Sequence, residues 1–301
     1  MNKYTNTHSP IGKNAKSIQK FSKKMGIAAF SAAMLALSQS AVAENDDDLP
    51  ALLVIGASGV SGNTPINDNM DSVLGGVAVN YGSFLALGDA LIRIRQLPGF
   101  VINEGQAGAG TFDRLGCNPG PECGPGWWTS FDKQFDRALA RVTMYDPENP
   151  ANILGYNAEY VVIGIPNDCL HSDAFGIPQS ETQPCTLEEF NAVIDRLIAV
   201  GQRALDLGIT PIYNIYPECS QETQDNAIKN WGLSWWIDVE ECEGLRYLHR
   251  TRIAAELPDA LVEDVWRGFT TSADGMHADR KTSMRAARRI ARAIKKHRRG
   301  N

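Results

Sequence analysis

Ser58 stands in VIGASGVSG, residues 54–62, a glycine-rich turn that follows the apolar run ALLVI. A hydroxyl in such a turn, exposed by a sharp bend at Gly56 and Gly59, has the setting of a nucleophile, and Ser61 lies in the same turn. An alcohol is a weak nucleophile at neutral pH and needs a base within hydrogen-bond reach. Beyond the first 43 residues the candidates are His171, His249, His277 and His297. His297 lies in a basic tail, and His249 falls inside a helical pattern, RYLHRTR, as a surface or packing residue. His171, in NDCLHSD, is the rival. His277 is preferred, because Asp274 three residues earlier, in DGMH, can orient its second ring nitrogen and stabilise the imidazolium. Taken alone, DGMH would read as a turn that opens a helix.

The elements that must position these residues follow from hydrophobic period and punctuation. ALLVI (51–55), FVIN (100–103), EYVVIGIP (159–166), ITPIYNIYP (209–217) and ALVEDVW (260–266) read as strands. Helices are expected over 82–97, 129–142, 185–208, 244–257 and 280–299. The third opens with a capping box, Thr186 with Glu189, and closes at Gly208. CNPGPECGPGWW, residues 117–128, is rich in Gly and Pro and reads as loop. Five alternations of strand and helix predict one parallel sheet covered on both faces. Ligands of such sheets bind beyond the carboxyl ends of the strands. The informative positions are therefore GASG with Ser58, NEGQAGAGT (103–111), GIPND (164–168) and DGMH (274–277).

These four pieces, in this order, resemble the four blocks of the SGNH hydrolases, also called the GDSL esterase/lipase family. The resemblance spans residues 51 to the C-terminal helix. It implies a three-layer α/β/α sandwich with a five-stranded parallel sheet, the flavodoxin-like SGNH fold, over residues 51–299. It also implies a serine hydrolase of carboxylic esters, needing no cofactor, with Ser58 as nucleophile, His277 as base and Asp274 as its orienting carboxylate. The Ser58 and Gly108 backbone N–H groups and the Asn167 side-chain amide would form the oxyanion hole. Small or medium acyl esters, of lipid or acetylated carbohydrate, are the implied substrates. Two positions depart from the pattern. Ala57 stands where the family has Asp, and Gly164 lies one residue early, so that Pro166 directly precedes Asn167.

A cofactor-binding reading of the same turn is weaker. In a dinucleotide fold the glycine turn runs straight into a helix whose N-terminus holds the pyrophosphate, whereas here it continues NTPINDNMD, a loop by local rules. A non-catalytic ligand-binding protein on the same fold is the second alternative. Trp127, Trp128, Trp231, Trp235 and Trp236 cluster in two loop-rich stretches and would either line a sugar or acyl site or pack those loops.

Residues 1–43 carry six lysines and no acid, then GIAAFSAAMLAL (26–37), then SQSAVA with Ala41 and Ala43. Charged segment, short apolar core and small-residue cleavage site describe a secretory signal peptide, so export to the periplasm or beyond is expected. ENDDDLP (44–50) then reads as an acidic leader. Loss of the signal would deepen the formal net charge of −6 by six units. An acidic surface disfavours nucleic acid as a partner, and no segment is apolar for long enough to insert stably in a membrane. The tail 280–299, with Met284, Ala287, Ile290, Ala291 and Ile294 at helical spacing, reads as a surface helix with a basic outer face. Six cysteines in an exported chain suggest three disulfides, and pairing neighbours in order gives Cys117–Cys123, Cys169–Cys185 and Cys219–Cys242. No cysteine pair has a metal-ligand spacing.

Overall fold

The computed structural model describes residues 49–61, 85–97, 99–106, 109–115, 125–128, 130–170, 185–231, 235, 237–272 and 274–300. All of them fall within a unit spanning Ala43–Asn301. The expected signal peptide, most of the acidic leader, Gly108, His171 and the Cys117–Cys123 pair lie outside the described residues.

Five strands form one parallel sheet: β1 (Ala51–Ile55), β2 (Val101–Asn103), β7 (Ala158–Ile163), β8 (Thr210–Asn214) and β9 (Leu261–Glu263). Their order is β2-β1-β7-β8-β9, so strand order reverses between β1 and β7. All five residues of β1 are buried. That is the signature of a strand covered on both faces, and it explains why ALLVI is apolar without alternation. Leu53 and Ile55 point into one cluster, with Phe131, Phe135, Ile194 and Leu197. Leu52 and Val54 point into the other, with Leu87, Leu91, Ile290 and Ile294. β7 divides in the same way, Val161 and Ile163 to the first cluster and Tyr160 and Val162 to the second. Each such buried side chain stabilises the fold by about 1.5–3 kcal/mol.

Helices supply the outer layers. α2 (Phe131–Val142), α3 (Leu187–Asp206) and α5 (Val239–Glu256) cover the first face, and α1 (Leu87–Arg93) and α6 (Arg280–Gly300) the second. The result is a three-layer α/β/α fold. α3 carries the expected capping box of Thr186 and Glu189, and Gly208 takes the left-handed conformation that ends it. α6 buries Ala286, Ala287, Ile290, Ala291 and Ile294, as its spacing predicts, and exposes Arg288, Arg292, Arg298 and Arg299, while Arg285 and Arg289 reach the carbonyls of Gly268 and Val265.

Five details differ from the sequence reading. α1 is only seven residues long. α5 begins at Val239 rather than 244, because Asp238 and Glu241 form a second capping box. An extra helix, α4 (Gln221–Trp231), follows β8. Pro125–Trp128, read as loop, is a short strand, β4, paired antiparallel with β3 (Arg114–Leu115). A second small antiparallel pair joins β5 (Thr143–Tyr145) and β6 (Ile153–Tyr156). Over Pro125–Trp128, pairing with a partner strand overrides the local Gly and Pro signals.

Candidate active site

The turn 57–60 leaves β1 at the point where strand order reverses, and it is held from several sides. The Val60 N–H donates to the Ala57 carbonyl. The Gly56 N–H donates to Oε1 of the fully buried Gln134 on α2, 2.7 Å away. Gly56 has φ 148°, and a Cβ there would stand 2.5 Å from Val60 Cγ2 and 2.9 Å from the Gly164 backbone. Only glycine fits that crossing. Gly164, the glycine that lies early in its block, serves the same crossing from the other side. Its N–H donates to the Ile55 carbonyl at 2.8 Å, and a Cβ there would meet Val60 Cγ1 at 2.9 Å. The first N–H groups of α1 also belong to this turn: Leu87 donates to the Gly59 carbonyl and Gly88 to that of Val60. Those donors are thus committed to protein carbonyls, which counts against a pyrophosphate at this helix end.

The loop 271–278 brings Asp274 and His277 over Ser58. It closes on itself through a bridge between Thr271 and Ala278, and the Ser272 N–H donates to the His277 carbonyl. Gly275, at φ 76°, lies against Asn226 of α4, and Asn230 Nδ2 donates to the Asp274 carbonyl at 2.9 Å. The unforeseen helix α4 therefore buttresses this loop. Within it, Asp274 Oδ1 accepts the N–H groups of Met276 and His277, both at 2.9 Å. Asp274 Oδ2 lies 2.7 Å from His277 Nδ1, and His277 Nε2 lies 2.8 Å from Ser58 Oγ. Asp274 and His277 are both buried. Burial pushes the Asp274 carboxyl up. The hydrogen bond and charge of His277, with the Met276 N–H and the Ser272 hydroxyl, outweigh it and hold the carboxyl below its ordinary value. A carboxylate accepts only, so Nδ1 carries the ring proton and Nε2 is left to accept one from Ser58.

Asn167 is buried and lines the same cleft as Ser58 and His277. Its N–H donates to the Ala109 carbonyl, tying the loop after β7 to the loop after β2. The next residue, Asp168, strengthens that tie. Its carboxylate accepts the Thr111 N–H at 2.7 Å and the Thr111 hydroxyl at 2.9 Å, with Arg196 Nη2 3.7 Å away. A Cβ on Gly110 would stand 2.6 Å from Asp168 Oδ2, so the glycine is what lets the loops close. Asn103 makes a third tie, its Nδ2 donating to the Val60 carbonyl and its Oδ1 accepting the Gly105 N–H. Sequence reasoning named neither Asp168 nor Gln134 as site residues. Asp168 was within reach as the last letter of GIPND; Gln134 was not, because its partner lies 78 residues away.

The cleft itself, ≈ 960 Å³ including space open to solvent, is walled mainly by apolar side chains such as Ile165, Leu170, Tyr216, Phe269 and Met276. Of the two described disulfides, Cys219–Cys242 lines it, and Cys169–Cys185 ties down the residue before Leu170. Trp235 lines it, its Nε1 donating to the Gln224 carbonyl. Of the other histidines, His249 is fully buried between the rings of Tyr213 and Tyr216, and His297 Nδ1 lies 3.0 Å from the Tyr160 hydroxyl. Neither reaches Ser58. Among the described residues, no group of three or more His, Cys, Asp or Glu is arranged to hold a metal ion.

No protein-family model matches the chain, and no curated protein matches it. Solved structures do. A carbohydrate acetylesterase from Sinorhizobium meliloti is 14% identical, with a TM-score of 0.49 over 82% of this chain and 98% of that one. A proposed SGNH hydrolase from Slackia heliotrinireducens is 15% identical, with a TM-score of 0.46 over 82% of this chain and 99% of that one. A further structure, 12% identical, superposes with a TM-score of 0.52 over 83% of this chain and 98% of its own. At such identities the likeness is one of fold.

Proposed function

We propose that this chain is a serine hydrolase of the SGNH/GDSL kind that cleaves carboxylic esters. The observation that carries the reading is the continuous line from Ser58 Oγ through His277 to Asp274, with links of 2.8 and 2.7 Å, opening on an apolar cleft. Ser58 attacks the ester carbonyl while His277 Nε2 takes its proton. Asp274 holds the imidazole in the required tautomer and stabilises the imidazolium that forms. The alcohol leaves with the proton from His277, and an acyl group remains on Ser58. Water, activated by the same histidine, then releases the acid.

Negative charge builds on the carbonyl oxygen in both steps and must be met by fixed donors. Asn167, held at the cleft by the Asp168–Thr111 tie, supplies a side-chain amide. The Ser58 and Gly108 backbone N–H groups are the other donors the family resemblance assigns. The intact line of three residues argues that Ala57 and the early Gly164 do not mark a decayed site. Gln134 supplies the turn with a polar anchor, and Gly164 serves its packing.

An apolar wall suits the acyl half of a small or medium ester, of lipid or carbohydrate origin. The leader sequence and the disulfides support export to an oxidising compartment. The test is turnover of p-nitrophenyl acetate, butyrate and octanoate by wild type and Ser58→Ala. Turnover that disappears in the variant is the expected result. Turnover that survives it removes Ser58 from the mechanism.

A further inference from the structure

The wall of the cleft is almost without charge. Apart from His277, Glu218 is the only ionisable carboxyl, amine or guanidine among the described residues that line it. Glu218 is exposed and makes no hydrogen bond or ion pair among the described residues. The segment that carries it, 216–243, forms much of the wall, through Tyr216, Cys219, Thr223, Trp235 and Cys242 among others. That segment holds seven Asp and Glu against one Lys, Lys229. Arg246, whose Nε donates to the Tyr216 carbonyl, is already paired with Glu243 and Asp264, at 3.2 and 3.7 Å. Arg267, Arg285 and Arg289, around the wall segment 265–269, do not line the cleft, and the last two are spent on the carbonyls of Gly268, Val265 and Arg267. From residue 44 onward, the segments outside the described residues hold no Lys or Arg.

That setting selects by charge. A lone carboxylate beside an uncharged, mostly apolar wall attracts a cation and repels an anion, and low-permittivity walls let its field reach through the cleft. The kind of cation follows from the other polar groups of the wall. The Tyr216 hydroxyl donates to the Pro166 carbonyl, Gln224 Nε2 to the Ile237 carbonyl, and the hydroxyls of Ser220 and Thr223 bond each other. A primary ammonium brings three N–H donors that each need an acceptor, and these groups are already engaged. A quaternary ammonium has no N–H to satisfy and carries its charge beneath methyl groups. Such a surface suits an apolar wall with the rings of Tyr216, Trp235 and Phe269, whose π-systems attract cations.

We propose that the preferred substrates are esters that carry a quaternary ammonium group, with Glu218 as the residue that selects the charge. This rests on the serine-hydrolase reading of Ser58. The test compares kcat/KM for charged esters with kcat/KM for their tert-butyl isosteres, in which carbon replaces the charged nitrogen. One pair carries the group on the alcohol, as choline butyrate and 3,3-dimethylbutyl butyrate. The other carries it on the acyl chain, as the p-nitrophenyl esters of 6-trimethylammoniohexanoic acid and of its isostere. Each value is divided by the rate of the same ester with hydroxide, so the ratio within a pair reports recognition. Wild type at low salt is expected to favour the cation by about fivefold or more in at least one pair. That preference is expected to shrink at high salt, and to fall toward one in Glu218→Gln, a nearly isosteric change at an exposed position. A wild-type ratio of one or less in both pairs, or a preference unchanged in the variant, overturns the proposal and leaves the hydrolase reading intact. Turnover of none of the four esters by wild type overturns both.

Discussion

Replacing Asp274 with asparagine should abolish catalysis by trapping His277 in the wrong tautomer, and the geometry says why the amide has no escape. Asp274 Oδ1 accepts two backbone N–H groups, from Met276 and His277, at 2.9 Å each. Asparagine can keep both bonds only if its carbonyl oxygen takes that position. Its NH₂ then faces His277 Nδ1, which must accept, and the ring proton moves to Nε2 beside Ser58. Flipping the amide would forfeit two hydrogen bonds and set N–H against N–H, at a cost of about 2–3 kcal/mol or more. The wrong arrangement is thus favoured by roughly 30-fold or more. The tautomer alone therefore lowers kcat by at least about 30-fold, and loss of the carboxylate that stabilises the imidazolium carries the expected loss toward about 10⁴. The loop 271–278 keeps its bonds, so the melting temperature should change little. Asp274→Ala makes the contrast. It loses both backbone bonds and should melt lower, yet it leaves the imidazole free to choose its tautomer and should retain more activity than the asparagine variant. Esterase kinetics and thermal melts on the two proteins decide the matter. An asparagine variant more active than the alanine variant would refute the argument.

Asn167→Ala should lower kcat by about 10²–10³ with little change in KM, the signature of a lost oxyanion donor; an unchanged kcat removes Asn167 from the site. Gly164→Ala sets a Cβ 2.9 Å from Val60 and 3.1 Å from the Ile55 carbonyl, and should cost about 1–3 kcal/mol in denaturant unfolding. Burial lowers the pKa of His249 to about 3, so it stays neutral in the fold while the unfolded chain takes up a proton below about 6.5. Its contribution to stability is complete above that pH and is lost as pH falls toward 3. At pH 5 the loss is about 2 kcal/mol, and His249→Phe should flatten the acid limb of the unfolding curve by that amount.

What the sequence could show depended on the range of the interaction. ALLVI declared itself because burial on both faces leaves no polar position in the strand. Thr186 and Glu189 declared the start of α3 because a capping box is complete within four residues. The same logic was available at Asp238 and Glu241 and passed unread behind an acidic stretch. α4 was harder. Its sequence, QETQDNAIKNW, is nearly all polar, and its role is to brace Gly275 and the Asp274 carbonyl, contacts more than 40 residues away. Ser58, Asn167, Asp274 and His277 were named from three of the four short blocks, and the fold brings them together at the cleft. The side chains that tie those blocks together, Gln134, Asp168 and Asn103, act through partners far off in sequence. Nothing local distinguishes them from ordinary polar residues.

The central claim is that Ser58 is the nucleophile. A fluorophosphonate probe followed by peptide mass spectrometry tests it most directly. The account predicts one stoichiometric adduct on the peptide carrying Ser58, absent from Ser58→Ala and strongly slowed in His277→Ala. A folded wild-type protein that takes up no probe, or takes it up on another residue, would contradict it.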